Sequence, residues 1–161
     1  MKGRKFKPSH LFFSVAGLLA LEALLLWLLP TVVANEAFIL IFAILGSVIN
    51  IYVAIEAIEE VKGHIQMLGF LSLIVLEFMV FFSLQYYFLL LVQPMSFPML
   101  TTNIVNLFLH STMIFVFNPI YLPETLAGRA LLLINTLGSL FLVLFILQNI
   151  WQLRPKVTES S

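Results

Sequence analysis

Four apolar runs, each about as long as a bilayer-crossing helix, leave this chain little room to be anything but a bundle of membrane helices. A hydrocarbon core about 30 Å thick takes roughly 20 residues of helix, and within it backbone amides must find partners inside their own segment. The first run extends from about His10 to Leu29 and is closed by Pro30. The second, about Ala37 to Ile58, is entered through Asn35-Glu36 and left through Glu59, Glu60 and Lys62. The third, Ile65 to Val92, is longer than a span requires and ends at Gln93-Pro94, so it must tilt or protrude. The fourth covers about Leu126 to Leu153 and stops at Arg154-Pro155.

Composition agrees: 61% of the 161 residues are hydrophobic and 10% charged, which places the chain with integral membrane proteins. Asp is absent, the formal charge is zero and no basic run is long enough for a nucleic-acid surface. With no cysteine there is no disulfide, no thiolate metal site and no Cys nucleophile. His10, His64 and His110 stand at no metal-ligand spacing, and no cofactor motif is present. The expectation is a protein that is not an enzyme and holds neither metal nor cofactor.

Between the third and fourth runs lies a segment of a different kind. Its apolar stretch, Ile104 to Phe117, follows Pro94, Pro98, Asn103 and Asn106 and is closed by Asn118-Pro119. Fourteen residues are too few to cross, and suit a re-entrant, interfacial or buried core helix. The basic residues decide between topologies, because cytoplasmic loops carry an excess of Lys and Arg. Lys2, Arg4, Lys5 and Lys7 hold the amino terminus inside, Lys62 lies inside two crossings later, and Arg154 and Lys156 two crossings after that, leaving Arg129 outside. Four spans with both termini cytoplasmic put residues 94–125 on the outer side of the cell membrane, where they must dip in and return to the same face. The expected fold is therefore all-α and transmembrane, with four spanning helices and a re-entrant half-helix between spans three and four. Residues 1–63 form a two-helix membrane segment, 64–155 a helix, half-helix, loop and helix module, and 156–161 a polar cytoplasmic tail. A cleaved signal peptide ending near Val32-Val33-Ala34 is the alternative for the first run, but that run is long for such a segment and contains Glu22.

A long helix, a proline-rich turn, a short helix starting near Leu100, a tight non-helical stretch, an outer loop and a long last helix follow one another in residues 65–153. This plan resembles the pore module of the potassium-channel family. There a pore-helix threonine leads into Thr-Val-Gly-Tyr-Gly-Asp, then a proline, a threonine and a Gly-Arg pair that opens the inner helix. Thr112 matches the pore-helix threonine, Val116 the filter valine, Pro123 and Thr125 the outer-loop pair and Gly128-Arg129 the start of the last helix, with Gly138 where a hinge glycine commonly sits. The resemblance implies fourfold assembly around the last helix, as a homo-oligomer or together with a channel subunit. It also implies a path lined by Phe115, Val116, Phe117, Asn118, Pro119 and Ile120. Those six residues depart from the family's pattern. Phe115 lacks the threonine hydroxyl, Phe117 stands where glycine is expected to be needed, and Pro119 fixes its own φ while driving Asn118 toward extended backbone. The family's carbonyl ladder cannot be built here in its usual form, so potassium selectivity is not implied. The Asn118-Pro119-Ile120 triplet also echoes the aquaporin signature, but that fold needs two half-helices and six spans.

Several polar residues fall inside the apolar runs, where each is a functional candidate. Glu22 and Glu77 sit mid-span in the first and third runs. Glu77 reads either as an ion or proton ligand behind the short helix or as a neutral carboxyl bonded to Asn103, Asn106 or His110; Glu22 has no obvious partner. Asn103, Asn106 and His110 share one face of the short helix. Asn135, Thr136, Gly138 and Ser139 make a small polar patch in the last run, facing a cavity if four copies surround an axis and otherwise a packing seam. Gly46-Ser47 and Gly138-Ser139 read as close helix contacts. The aromatic residues, with Trp27 and Trp151, suit membrane packing and interfacial belts, so membrane lipid is the one certain partner class.

Three functions follow: a channel-like protein passing a cation with altered selectivity, a non-conducting structural or regulatory membrane subunit, or a small transporter using Glu22 and Glu77.

Overall fold

Helices form wherever the apolar runs lack proline, and proline or a polar turn follows where they stop. The computed structural model describes residues 9–28, 32–60 and 64–152. The basic residues Lys2, Arg4, Lys5, Lys7, Lys62, Arg154 and Lys156, the closing Pro30 and the 156–161 tail lie outside them. Among the described residues the fold is all-helical: α1 (Ser9–Leu28), α2 (Val32–Glu60), α3 (His64–Val92), a 3₁₀ turn at Pro94–Ser96, α4 (Ile104–Phe115) and α5 (Leu126–Gln152). Three of these helices are long and apolar enough to cross a membrane, over Asn35–Glu56, Met67–Val92 and Leu126–Asn149. In α1 the apolar stretch with described side chains is Gly17–Leu28.

Two boundaries differ from the sequence reading. α2 begins at Val32 and runs straight through Asn35-Glu36, which do not interrupt it. The short helix begins at Ile104, not near Leu100, because Asn103 caps it: the Asn103 side chain accepts the Val105 N–H at 2.9 Å.

α2 packs against α1, α3 and α5, and α4 lies against both α3 and α5. One aromatic-rich core joins them, with Ile39 and Ala43 of α2, Phe78, Phe81, Phe82 and Tyr86 of α3, Leu107 and Ile114 of α4, and Leu131 and Leu142 of α5. The two glycine–serine pairs make the close contacts that let these helices approach. A Cβ on Gly46 would collide with the Phe81 ring, and one on Gly138 would lie 2.8 Å from Phe78 and 3.2 Å from the Ser47 hydroxyl. In lipid, helices gain nothing from hiding apolar surface from each other, so such small-residue contacts carry much of the packing.

Substituting Gly46→Ala is therefore expected to lower thermal stability in detergent micelles by about 1–3 kcal/mol through forced displacement of Phe81. Gly17→Ala, at a position with nothing within 4 Å, is expected to leave it unchanged or slightly raised.

Candidate functional site

The chain between α3 and α5 leaves one level of the bundle, descends and comes back. It departs at Ser96, in the turn above α3. α4 then runs down beside α3: His110 packs on Tyr86 with ring centroids 4.8 Å apart, the Thr112 hydroxyl lies 3.6 Å from the Met79 sulfur, and Phe115 meets Phe78 edge-on at 6.2 Å. Phe78 is fourteen residues before Val92, so at 1.5 Å per residue the lower end of α4 lies roughly 20 Å below the end of α3. Residues 116–123 climb back, and the Glu124 N–H donates to the Ser96 carbonyl at 3.0 Å. Eight residues of extended chain reach about that far.

Ser96 holds the two ends of this excursion together. It is fully buried; its hydroxyl donates to Gln93 Oε1 at 2.8 Å and accepts from the Thr125 hydroxyl at 3.1 Å. Thr125 in turn caps α5, its side chain accepting the Gly128 N–H and its carbonyl the Arg129 N–H. Gly128 packs so closely under this turn that a Cβ would lie 2.9 Å from Pro123 and 3.1 Å from the Ser96 carbonyl. Pro123, Thr125 and Gly128-Arg129 are thus one joint, built on a serine that the sequence reading passed over; its position between Pro94 and Pro98 is the signal that marked a turn there.

At the bottom of the hairpin, α4 ends in a Schellman motif. The Phe117 N–H donates to the Ile114 carbonyl at 2.8 Å and the Asn118 N–H to the Met113 carbonyl at 2.8 Å, which places Phe117 at the position where glycine is usual. Its φ is +60°, the one positive value for a non-glycine residue among those described. Phe117 does therefore adopt a conformation that glycine prefers, against the sequence expectation, and the strain is about 1–2 kcal/mol. Pro119 follows two residues later and prevents the helix from continuing.

Residues 116–120 are all exposed on the single chain, Phe117 to 48% and Ile120 to 45%. The N–H groups of Ile120, Tyr121 and Leu122 make no backbone or side-chain hydrogen bond among the described residues. The return segment thus carries open backbone donors, the exposed Asn118 and two large exposed apolar side chains.

Other candidate residues are distributed differently from the expectation. Asn103 is the α4 cap, Asn106 donates to the Thr101 hydroxyl at 2.8 Å, and neither reaches Glu77. Both Glu77 carboxylate oxygens are buried without a hydrogen-bond partner among the described residues, so the expected bond to Asn103, Asn106 or His110 is not formed. His110 is enclosed by Tyr86, Phe97 and Tyr121, with both ring nitrogens likewise unpartnered. Glu22 has the partner that sequence reasoning missed, Gln85 Nε2 donating to Glu22 Oε2 at 2.8 Å across the α1–α3 contact. An amide inside the apolar run of α3 was the available signal. Because Gln85 lies eight residues beyond Glu77, the two carboxyls sit about 12 Å apart along the bundle and do not form a pair. In α5, Asn135 donates to the Tyr86 hydroxyl and accepts from Ser139, both at 3.4 Å, while Thr136 donates to its own helix at the Leu132 carbonyl. Asn135, Gly138 and Ser139 are buried within the single chain, where they form a seam against α3 and α2.

Among the described residues, no group of three or more metal-ligating side chains is present. No family model matches the chain, and no curated protein or solved structure is significantly similar to it.

The strain at the hairpin tip gives a direct test. Phe117→Gly is expected to be more stable than Phe117→Ala by about 1 kcal/mol, since both remove the ring and only alanine keeps the unfavourable backbone. Equal stabilities in a micelle unfolding titration would remove the assigned strain.

Proposed function

We propose that the protein is a channel-like membrane protein of four spans, with both termini cytoplasmic. In this reading residues 94–125 enter the cell membrane from the outer side as a re-entrant hairpin. The observation that carries it is the path of the chain: down beside α3 to Phe78, around the Phe117 turn, and back to Ser96. α1, α2, α3 and α5 supply the four crossings. The order of helix, half-helix, non-helical return and helix supports the likeness to the potassium-channel pore module, with fourfold assembly as its counterpart.

Burial of backbone supports the same reading. Non-helical backbone at bilayer depth is tolerated only where it meets protein or lines water. The free N–H groups of residues 120–122 need one of the two, and no partner for them is present among the described residues. A second copy or a shared aqueous vestibule satisfies them. Carbonyl groups along Val116–Leu122 and the Asn118 amide then face a wet path suited to a cation, whose lost water they replace in part. Phe117 and Ile120 narrow that path. Their bulk favours a second reading, in which the pore-like module conducts nothing and serves as a structural or regulatory subunit beside a channel protein. The transporter reading loses its motive, because Glu22 is tied to Gln85 and stands apart from Glu77.

Purified full-length protein in liposomes under a potassium or sodium gradient tests conduction. Flux above that of empty liposomes is expected, and because the chain has no cysteine, Asn118→Cys makes a clean probe. A charged, membrane-impermeant thiol reagent added from outside is expected to reduce flux through Asn118→Cys and leave the parent chain unaffected. Absence of flux contradicts conduction and leaves the non-conducting subunit.

A further inference from the structure

Beside the hairpin, the wedge between α3 and α4 forms a half-open cavity of about 580 Å³. Its walls are apolar: Val80 and Leu84 from α3, and Val105, Leu107 and Phe108 from α4. Ser83 also faces it, but its hydroxyl is spent on the Met79 carbonyl of its own helix at 2.7 Å. Tyr87 and Thr102 also line it, and their hydroxyls make no hydrogen bond among the described residues. Tyr87 is seven residues beyond Val80, so it joins α3 about 10 Å nearer the Ser96 turn.

Among the described residues no other helix covers the wedge. α2 contacts α3 through Phe81, α1 through Gln85, and α5 through Phe78 and Tyr86, all on other faces of the helix. Val80 and Val105 are correspondingly exposed, at 43% and 67%. The volume falls in the usual range for a small-molecule site, about 300–1,000 Å³, and a largely apolar lining with a few placed polar groups is the usual character of one.

We propose that this wedge binds one acyl chain of a phospholipid from the leaflet on the side of the Ser96 turn, with its ester region at Tyr87 and Thr102. The proposal rests on the placement of α4 within the bilayer given above, and not on conduction. The polarity of the cavity carries it. A phospholipid in that leaflet presents its tail toward the bilayer centre and its ester groups about 15 Å outward, at the level where tyrosine hydroxyls settle. The wedge has a matching order, with Val80 and Phe108 toward the bilayer centre and the two hydroxyl-bearing residues Tyr87 and Thr102 toward the Ser96 turn. Apolar surface in lipid gives no hydrophobic gain, so a chain is retained here by fit between two helices rather than by escape from water. The occupied wedge would brace α4 against α3 and so hold the hairpin at its depth.

The test uses full-length protein in nanodiscs containing a phospholipid with a photoreactive diazirine in one acyl chain. After illumination and peptide mapping, adducts on Leu84 and Phe108 are expected to exceed those on Ile41 and Val48, exposed on α2, by about tenfold, the equivalent of about 1.4 kcal/mol of preference. Val105→Trp, which fills the wedge from an exposed wall position, is expected to remove that excess without changing adducts on α2. Val80→Phe serves the same purpose should the first variant not fold. Adducts no denser in the wedge than on α2 would mean ordinary contact with surrounding lipid and overturn the proposal. Reaction of Ile104→Cys and Phe108→Cys with a membrane-impermeant maleimide would instead place α4 in water and defeat the re-entrant reading as well.

Discussion

Ser96 decides where the chain goes between its two last long helices. Its carbonyl takes the Glu124 N–H and its hydroxyl bridges Gln93 and Thr125, so the segment that leaves after α3 must come back to the level it left. Everything between is then obliged to form a hairpin. α4 is twelve residues, about 18 Å, long and brings Phe115 down to Phe78, a depth that the eight residues 116–123 are long enough to recover. A buried, fully bonded serine fastening two proline-bearing turns is a more rigid joint than either turn alone. It also aligns Thr125 as the cap of α5, so that one residue sets both the return of the hairpin and the start of the last helix.

The tip of the hairpin combines three local devices. Asn103 starts α4, the Schellman bonds at Ile114 and Met113 end it, and Pro119 forbids its continuation. Only one of these is strained. Phe117 occupies the left-handed conformation in which glycine would sit without cost, and residues held in such conformations concentrate where structure serves function. The ring is half-exposed, and the unpaired N–H groups begin three residues further on, at Ile120. Those groups are what turns a piece of local geometry into a functional argument. In water they would need nothing; inside a bilayer, at the level of Tyr86 where Tyr121 meets His110, they require an aqueous path or a neighbouring copy.

Much of this was legible in the sequence. The long helices follow from apolar length, and α3 and α5 agree with their expected spans to within a residue at each end. Gly46 and Gly138 were readable as close contacts because only small residues let apolar helices touch. The site was less legible, for reasons specific to each residue. Glu22 and Gln85 are 63 residues apart, and nothing local announces that one will meet the other. Asn103 shares a helical face with His110 by spacing, yet it is spent as a cap, a role that removes it from the helix it was counted on. Asn135 and Ser139 were readable as polar, but whether they face a cavity or a neighbour depends on Tyr86, which arrives from α3. Phe117 was judged by its type, and two backbone bonds from the end of α4 override that preference.

The claim on which the functional reading stands is that the hairpin tip is both deep and wet. It is tested most directly by the accessibility of a nitroxide spin label attached at position 118, compared with one at Val48, whose neighbour Ser47 meets Gly138 at the level of Phe78. In bilayers, the label at 118 should collide freely with a water-soluble nickel reagent. The label at 48 should exclude that reagent and collide with oxygen dissolved in the lipid. A tip that excludes the reagent and is as oxygen-rich as position 48, or one whose measured depth is that of the headgroups, would contradict the pore-like hairpin.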